Sequence, residues 1–299
     1  MTSNENDVAD LFRARIDALW VYPVKSCAGV ALEEAELTPT GLAWDRAWMV
    51  VDSEGRFVTQ RDLPRMALIQ PAFRLGQLVL RAPGMLALHL SLEEAERPVN
   101  VCVWDDVLEA WDMGDVAAQW FSDFLAPDAP ERLKRLRLVR FDPEVRRVCS
   151  LKWTGGRESV TQFADGFGVL VTGAASLDGL NEWLGVAGQP AVDQRRFRPN
   201  IVLAGAEAHD EDRIRVWHVD TGAGMAVLEN VKPCARCPIP NIDPDSAGAS
   251  PAVGDALQAY RQDPRLNGAL TFGMNAIVLE GDGLVLRVGQ AVRAEWSFD

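Results

Sequence analysis

Short apolar runs separated by turn residues dominate the first third of the chain. These runs are IDALWVYPV, AWMVVD, RFVTQ, MALIQPAF, LVLRA and ALHLSL, several of them bounded by Gly, Pro or Asp-Ser. Their length and spacing predict strands of an antiparallel sheet or a small barrel. VVDSEGRFVTQ predicts a hairpin with residues 53–55 at its tip. The later runs NIVLAG, RVWHVD, MAVLEN and NAIVLEG predict further strands.

Helical periodicity appears in three places. It predicts helices over residues 115–126, 174–185 and 251–262. The predicted apolar faces are Val116, Trp120 and Phe124 in the first helix and Leu177, Leu180 and Leu184 in the second. Asp115 is placed to cap the first helix at its N-terminus, and Gly185 to cap the second at its C-terminus. We therefore predict an α+β fold that is mostly β, with a few packed helices.

The polar, Pro-containing run at residues 126–135 is the best candidate for a linker. It divides the chain into a β-rich N-terminal domain, residues 14–128, and a β-rich C-terminal domain, residues 129–299. A chain of 299 residues is long enough for two modest domains.

Charge and composition narrow the functional classes. The formal net charge of −13 argues against a nucleic acid polymer as partner, because phosphate binding needs a basic surface. The polar, acidic N-terminus resembles neither a secretory signal nor a transit peptide. No apolar stretch approaches the roughly 18–20 residues of a membrane helix. We expect a cytoplasmic protein that does not associate with membranes.

The five cysteines form an odd, scattered set, which fits a reducing compartment better than a disulfide framework. Two of them, Cys234 and Cys237, stand in VKPCARCPIPNIDPD. A zinc site lacks a second ligand pair, and the prolines that follow prevent the helix that a thiol–disulfide oxidoreductase site requires. Two interpretations stay open: a single thiolate that completes the coordination sphere of a cofactor-bound metal, or two small buried residues.

Basic residues occur at the ends of several predicted strands. Lys25 and Ser26 end an apolar strand in YPVKSC, and Arg46 precedes a strand in WDRAWMVVD. RRFRPNIVLAG brings further arginines, among them Arg198, to the start of another strand, with Asn200 beside it. Arg and Lys beside hydroxyl and backbone N–H groups are what an anionic phosphate pocket needs.

Seven segments occur in the order seen in MOSC-domain proteins. They are YPVKSC, GLAWDRAWMVVD, TQRDLPRM, LVTGAASLDGLN, RRFRPNIVLAG, CARC followed by DPD, and FGMNAIVLEGDGLVLRVG. In this combination the chain most resembles the family of the mitochondrial amidoxime-reducing component and its bacterial homologues, over residues 19–292. The resemblance implies a β-barrel-like MOSC domain preceded by a β-rich MOSC-associated domain.

The resemblance also implies a molybdenum cofactor, in which a pterin dithiolene holds the metal. Cys237, the second cysteine of the pair, is then the metal ligand and the catalytic residue, and Cys234 has a supporting role. The positions that match the family's cofactor contacts are Lys25, Ser26, Arg46, Thr172, Gly173, Arg198, Asn200, Ala235, Arg236 and Cys237.

The activity implied is reduction of N-hydroxylated compounds: amidoximes, hydroxylamines and N-hydroxylated base analogues. Asn275 stands where eukaryotic members have an aromatic residue. No cysteine follows Cys237, so we expect electrons from a separate donor protein of the flavin, haem or iron–sulfur type instead of a ferredoxin domain in the same chain. The rival interpretation is a non-catalytic carrier of molybdenum cofactor or of persulfide sulfur.

Overall fold

The computed structural model describes residues 12–127 and 129–297. In chain order, the strands are β1 (Phe12–Val21), β2 (Val30–Leu32), β3 (Glu34–Thr38), β4 (Gly41–Leu42), β5 (Trp48–Val51), β6 (Gln70–Arg74), β7 (Gln77–Arg81), β8 (Leu88–Ser91), β9 (Arg97–Val103), β10 (Asp106–Asp112), β11 (Arg137–Phe141), β12 (Arg147–Val148), β13 (Val160–Thr161), β14 (Val169–Gly173), β15 (Ile201–Ala204), β16 (Ile214–Asp220), β17 (Met225–Ala235), β18 (Gln262–Asp263), β19 (Ala269–Glu280), β20 (Val285–Arg287) and β21 (Ala291–Trp296). The α-helices are α1 (Asp115–Leu125), α2 (Ala174–Val186) and α3 (Ala252–Tyr260). Short 3-10 helices cover Pro64–Leu68, Glu131–Leu133, Gln194–Arg196, Asp210–Arg213, Ile239–Asn241 and Pro264–Leu266.

Seven strands close into a barrel. Hydrogen bonding runs in the order β14, β15, β1, β21, β16, β17 and β19, and β19 returns to pair with β14. Only the β14–β15 pairing in this ring is parallel. The interior is filled by alternate residues of these strands, among them Ile16, Leu19 and Trp217, which are at most 3% exposed. Closure leaves none of these seven strands as a free sheet edge.

The segment from β5 to β11 builds a second body beside the barrel, whereas β3 and β4 pair with β20 and pack on the barrel core. Its main sheet is antiparallel in the order β5, β11, β10, β9, and a separate meander joins β6, β7 and β8. Helix α1 covers this part and buries Trp120, Phe121 and Phe124 against Trp48 and Leu138. The prediction of a mostly β fold with packed helices is confirmed.

Strand pairing crosses the predicted domain boundary in both directions. Strand β1 pairs with β15 and β21 of the C-terminal half, and β11 pairs with β5 and β10 of the N-terminal half. Asp128 lies outside the described residues. The neighbouring residues of the predicted linker are packed, because Ala126, Ala129 and Leu133 belong to the core around α1. The exact division at residue 128 stays a prediction.

The three predicted helices exist, but their details differ from expectation. Val116 is 77% exposed, so the buried face of α1 is made by Trp120 and Phe124 without it. Gly114, not Asp115, is the N-cap, and Asp115 is the first helical residue, where its charge suits the helix dipole. Helix α2 continues past Gly185 and ends with Ala187 as its C-cap.

The hairpin predicted at residues 53–55 forms. Asp52 accepts backbone hydrogen bonds from Glu54 and Arg56 through its side chain, and Val51 faces Phe57 across the turn. No helix in the described part of the chain is long and apolar enough to cross a membrane.

Candidate functional site

A cleft opens where the barrel meets the N-terminal body. It is lined from the N-terminal half by Lys25, Ser26, Arg46, Thr59 and Arg61, and from the C-terminal half by residues 164–167, Leu170, Phe197, Arg198, Asn200, the run 234–237, Ile239 and Asn275. Five of these side chains are cationic, whereas Asp165 is the single acidic residue of the lining. An acidic chain thus concentrates positive charge in one place, as binding of an anionic group requires.

Lys25 anchors the floor of the cleft. It follows the first barrel strand and is 6% exposed. Its Nζ donates to the carbonyl of Phe163 at 2.8 Å and to Oδ1 of Asp165 at 2.6 Å. Burial lowers the pKa of Lys25, and the Asp165 carboxylate opposes that effect. Ser26 beside it has a left-handed backbone with φ of 67°, and its carbonyl accepts from Gln60 Nε2 at 2.7 Å.

Arg46 and Arg198 lie on the same aromatic ring. Their guanidinium carbons are 4.5 Å and 4.2 Å from the centroid of Tyr22. Arg46 also donates to Asn200 Oδ1 at 3.2 Å and to the carbonyl of Arg198 at 3.0 Å. The aromatic ring therefore allows two like charges to sit close together, because its face attracts cations.

Arg198 has a buried guanidinium group in the cleft. Its Nη1 donates to the carbonyl of Cys27 at 2.5 Å, and its Nη2 is buried without a hydrogen-bond partner among the described residues. Burial, assisted by the charge of Arg46, lowers the pKa of Arg198 to about 10. The group remains cationic at neutral pH and holds an unused donor, which is a marker for a missing acceptor.

The two cysteines of the pair lie at the edge of the cleft, where β17 ends. Arg236 Nη1 donates to Cys234 Sγ at 3.0 Å, and Arg236 Nη2 donates to the carbonyl of Phe197 at 2.9 Å. Arg236 Nε is buried and unpaired within the described part of the chain. Cys237 is partly exposed, and no hydrogen bond from a described residue engages its sulfur. Cys234 is thus held by its neighbour, while Cys237 is available to a ligand.

The remaining cysteines are poor candidates for a thiolate ligand. Cys27 and Cys149 are buried, and burial raises the pKa of Cys27 to about 12 and that of Cys149 above its ordinary value. Cys102 is half-buried in β9 and does not line the cleft. Across the described residues, no group of three or more His, Cys, Asp or Glu side chains could hold a metal ion.

Two arginines clamp the loop that follows Cys237. Arg195 Nη1 and Nη2 donate to the two carboxylate oxygens of Asp245 at 2.8 and 2.7 Å, and Arg196 Nη2 donates to Asp243 Oδ2 at 2.8 Å. Asp243 Oδ1 also accepts from the backbone of Asp245 and Ser246. The acidic residues of the DPD motif consequently order the loop, which is what Asp does in turns.

Three predicted site residues have polar groups already occupied by the protein. Thr172 and Gly173 end β14 outside the cleft lining: Thr172 Oγ1 donates to Gln194 Oε1 at 3.1 Å, and the Gly173 amide donates to Glu211 Oε1 at 3.1 Å. Asn200 lines the cleft but is 1% exposed and is held by Leu170, Arg46 and Trp20. The structure brings Asn200 together in the cleft with the other seven predicted residues: Lys25, Ser26, Arg46, Arg198, Ala235, Arg236 and Cys237.

The structure adds Arg61 and Asp165 to the residues that the sequence pointed to. Asp165 lies in QFADGFG, a loop without a motif, and it reaches Lys25 across 140 positions of sequence. Arg147 fixes this loop from below by donating to the carbonyls of Gln162 and Ala164. Arg61 directly follows the predicted strand RFVTQ, but nothing in the sequence joined it to this loop.

Comparison with known protein families gives a match for each of the two parts of this chain. The model of the MOSC N-terminal beta barrel domain matches residues 13–128, and that of the MOSC domain matches residues 158–293. Mitochondrial amidoxime-reducing component 1 of Mus musculus is 33% identical over 287 residues, which are 92% of this chain and 80% of the mouse protein. The chain belongs to the MOSC-domain family.

Two other amidoxime-reducing components have a similar sequence identity to this chain. Mitochondrial amidoxime-reducing component 1 of Homo sapiens is 33% identical over 92% of this chain and 81% of its own length. Component 2 of Bos taurus is 34% identical over 77% of this chain and 67% of its own length. The expected resemblance is confirmed, and MOSC-domain relatives of this kind are associated with molybdenum cofactor binding.

Proposed function

We propose that this MOSC-domain chain is a molybdenum-cofactor-dependent reductase of N-hydroxylated compounds that takes its electrons from a separate protein. The observation that carries the proposal is the position of Cys237: a partly exposed thiol without a protein partner in the described region, at the edge of a cleft lined by five cations. A thiolate suits a soft metal, and clustered cations suit the phosphate of a pterin cofactor.

The residues present fit such a group. Arg198 Nη2 and Arg236 Nε are buried donors without acceptors among the described residues, and they belong to the same cleft. A phosphate or a pterin oxygen is the kind of acceptor that satisfies them. Cys237 provides one sulfur ligand, and the absence of a complete ligand cluster among the described residues fits a metal that the cofactor itself brings.

Each cleft residue then has a definite role in holding the cofactor. Lys25, Arg46 and Arg198 neutralise its negative charge, and Arg236 donates from the loop beside the metal ligand. Ser26 and Ala235 line the cleft and contribute further contacts to the cofactor. Thr172 and Gly173 of β14, and Asn200 directly before β15, support the same site through hydrogen bonds that fix these two strands.

When bound, the molybdenum cofactor supplies the redox chemistry that no side chain of this cleft offers. For an amidoxime the balance is simple: the N–O bond breaks, two electrons and two protons are consumed, and the products are an amidine and water. The chain positions the substrate beside Cys237. A donor protein of the flavin, haem or iron–sulfur type supplies the electrons.

The test is elemental analysis combined with an assay on the same protein, purified from a host that makes the cofactor and is supplied with molybdenum. We expect close to one molybdenum per chain, and reduction of benzamidoxime with a chemical electron donor. Molybdenum without turnover would support the alternative, a carrier of the cofactor. Protein that holds no molybdenum under these conditions would contradict both.

A further inference from the structure

Trp104 occupies an unusual position beside the cleft. With Asp105 it forms the two-residue turn between β9 and β10. Its backbone is left-handed, with φ of 56°, and 47% of the residue is exposed. Two-residue hairpin turns favour glycine where φ is positive, and a bulky side chain there is strained. A large aromatic residue thus stands where neither turn geometry nor core packing requires one.

Three neighbours connect this side chain to the cleft. The indole Nε1 donates to Asp165 Oδ1 at 3.2 Å, the Arg61 guanidinium carbon lies 4.8 Å from the indole centroid, and the Phe57 ring lies 5.0 Å away. Arg61 and Asp165 both line the cleft, and Arg61 is exposed. Phe57 and Trp104 thus pack beside the cleft against the lining residue Arg61, and we call these three residues the aromatic ledge.

The aromatic ledge favours flat, conjugated ligands over saturated ones. Indole and guanidinium groups both present flat, delocalised faces, and both bind other flat π systems by stacking. A saturated substrate offers no such face and gains only nonspecific contact. The hydrogen bond to Asp165 fixes the indole edge, so the ring is held in place before a ligand arrives.

We propose that the aromatic ledge binds the planar, conjugated part of the substrate, and that Trp104 determines specificity for aryl amidoximes and N-hydroxylated bases over aliphatic substrates. The inference rests on the proposed reductase function and extends it to the substrate class. It rests on placement: Trp104 is strained, exposed and joined to two cleft-lining residues, and Cys237 lines the same cleft.

The kinetic test compares benzamidoxime with acetamidoxime in Trp104→Leu. Stacking acts on substrate binding, so KM for benzamidoxime should rise about three- to tenfold with kcat unchanged, while both constants for acetamidoxime stay as in the wild type. Trp104→Phe should restore most of the loss. Trp183→Leu is the matched control, because Trp183 is also 47% exposed but stacks on Tyr260 away from the cleft. Equal effects on both substrates, or none on either, would overturn the proposal.

A binding measurement separates this inference from the proposed function. Benzamidine, the product of benzamidoxime reduction, is titrated calorimetrically into wild type and Trp104→Leu at equal molybdenum content. Weaker binding of about three- to tenfold in the variant supports the aromatic ledge even in a protein that does not turn over. Identical affinities would refute it even if the wild type reduces benzamidoxime. The reductase proposal is judged separately, by wild-type turnover.

Discussion

Three residues of the cleft share a left-handed backbone: Ser26, Arg46 and Arg198, with φ of 67°, 50° and 57°. Such conformations cost on the order of 1–3 kcal/mol each and persist only where surrounding contacts fix them. Here the contacts are visible, since Gln60 holds the Ser26 carbonyl and Arg46 holds that of Arg198. The cleft is therefore organised before any ligand binds.

His209 gives the folded protein a predictable response to acid. It stands in a left-handed turn against Tyr260 and Phe272, and burial, together with Arg261, lowers its pKa to about 4. Below about pH 6.5 the unfolded chain binds a proton at this residue that the folded chain does not. This contribution to the free energy of unfolding is thus present above pH 6.5 and is lost as pH falls towards 4.

We predict that His209→Asn, which tolerates the same backbone, flattens the pH dependence of the free energy of unfolding between pH 6.5 and 5. Urea unfolding at a series of pH values measures it. His89→Asn is the control for the same replacement at an exposed position, on β8. A His209→Asn slope equal to that of the wild type would show that this residue does not set the acid response.

The loop after β17 shows how one element holds the metal ligand in place. It is not helical around Cys237, and its shape depends on Asp243 and Asp245 paired with arginines of the 3-10 helix Gln194–Arg196. Aspartates of a motif such as DPD can order a turn or act in catalysis. The contacts of the Asp243 and Asp245 carboxylates with the two arginines support an ordering role. The sequence could not decide this, because it does not show where the arginines lie in the fold.

Asp243→Ala should therefore loosen the loop without unfolding the protein. It removes hydrogen bonds to Ser246 and Arg196 and should cost about 1–2 kcal/mol in free energy of unfolding. Faster hydrogen exchange confined to amides of residues 236–250 is the expected signature, accompanied by lower molybdenum retention.

The comparison variant is Asp220→Ala. Asp220 orders the β16–β17 turn by accepting from the Gly222 amide at 2.9 Å, so its loss should speed exchange there and leave residues 236–250 protected. Unchanged exchange of residues 236–250 in Asp243→Ala would mean that other contacts hold this loop.

The whole molecule is tied together by strands that pair far from their place in the sequence. Strand β1 closes the barrel between β15 and β21, and it then leads directly to Lys25 in the cleft. Breaking the packing of β1 should consequently disturb both halves of the chain together. The two halves are expected to unfold in one transition.

Ile16→Ala tests that coupling. Ile16 is fully buried in the barrel, and the change should lower the free energy of unfolding by about 2–5 kcal/mol. Fluorescence and far-UV circular dichroism should report one coincident transition. Val107→Ala, at a position 73% exposed on β10, should change it by less than about 0.5 kcal/mol. Two separated transitions in Ile16→Ala would contradict the coupling.

Local sequence patterns predicted most of the strands and helices, but they could not predict which strands pair with each other. Short apolar runs bounded by turn residues predicted the strands, and the 3.6-residue period predicted three helices. The barrel position of β1 depends on partners some 180 residues away, which no local signal specifies. Val116 is apolar and in phase with the buried face of α1, but it is exposed because no described residue covers that side of the helix. The sequence did not point to Asp165, because its role depends on the contact with Lys25. Only the folded chain brings these two residues close together.

In the function we propose, Cys237 binds the metal of a molybdenum cofactor and Cys234 only supports it. The most direct test is the molybdenum content of Cys237→Ala and Cys234→Ala, purified side by side with wild type from a cofactor-producing host. We predict that Cys237→Ala loses nearly all of the metal and Cys234→Ala retains a substantial part. Equal molybdenum content in the two variants would contradict the assignment.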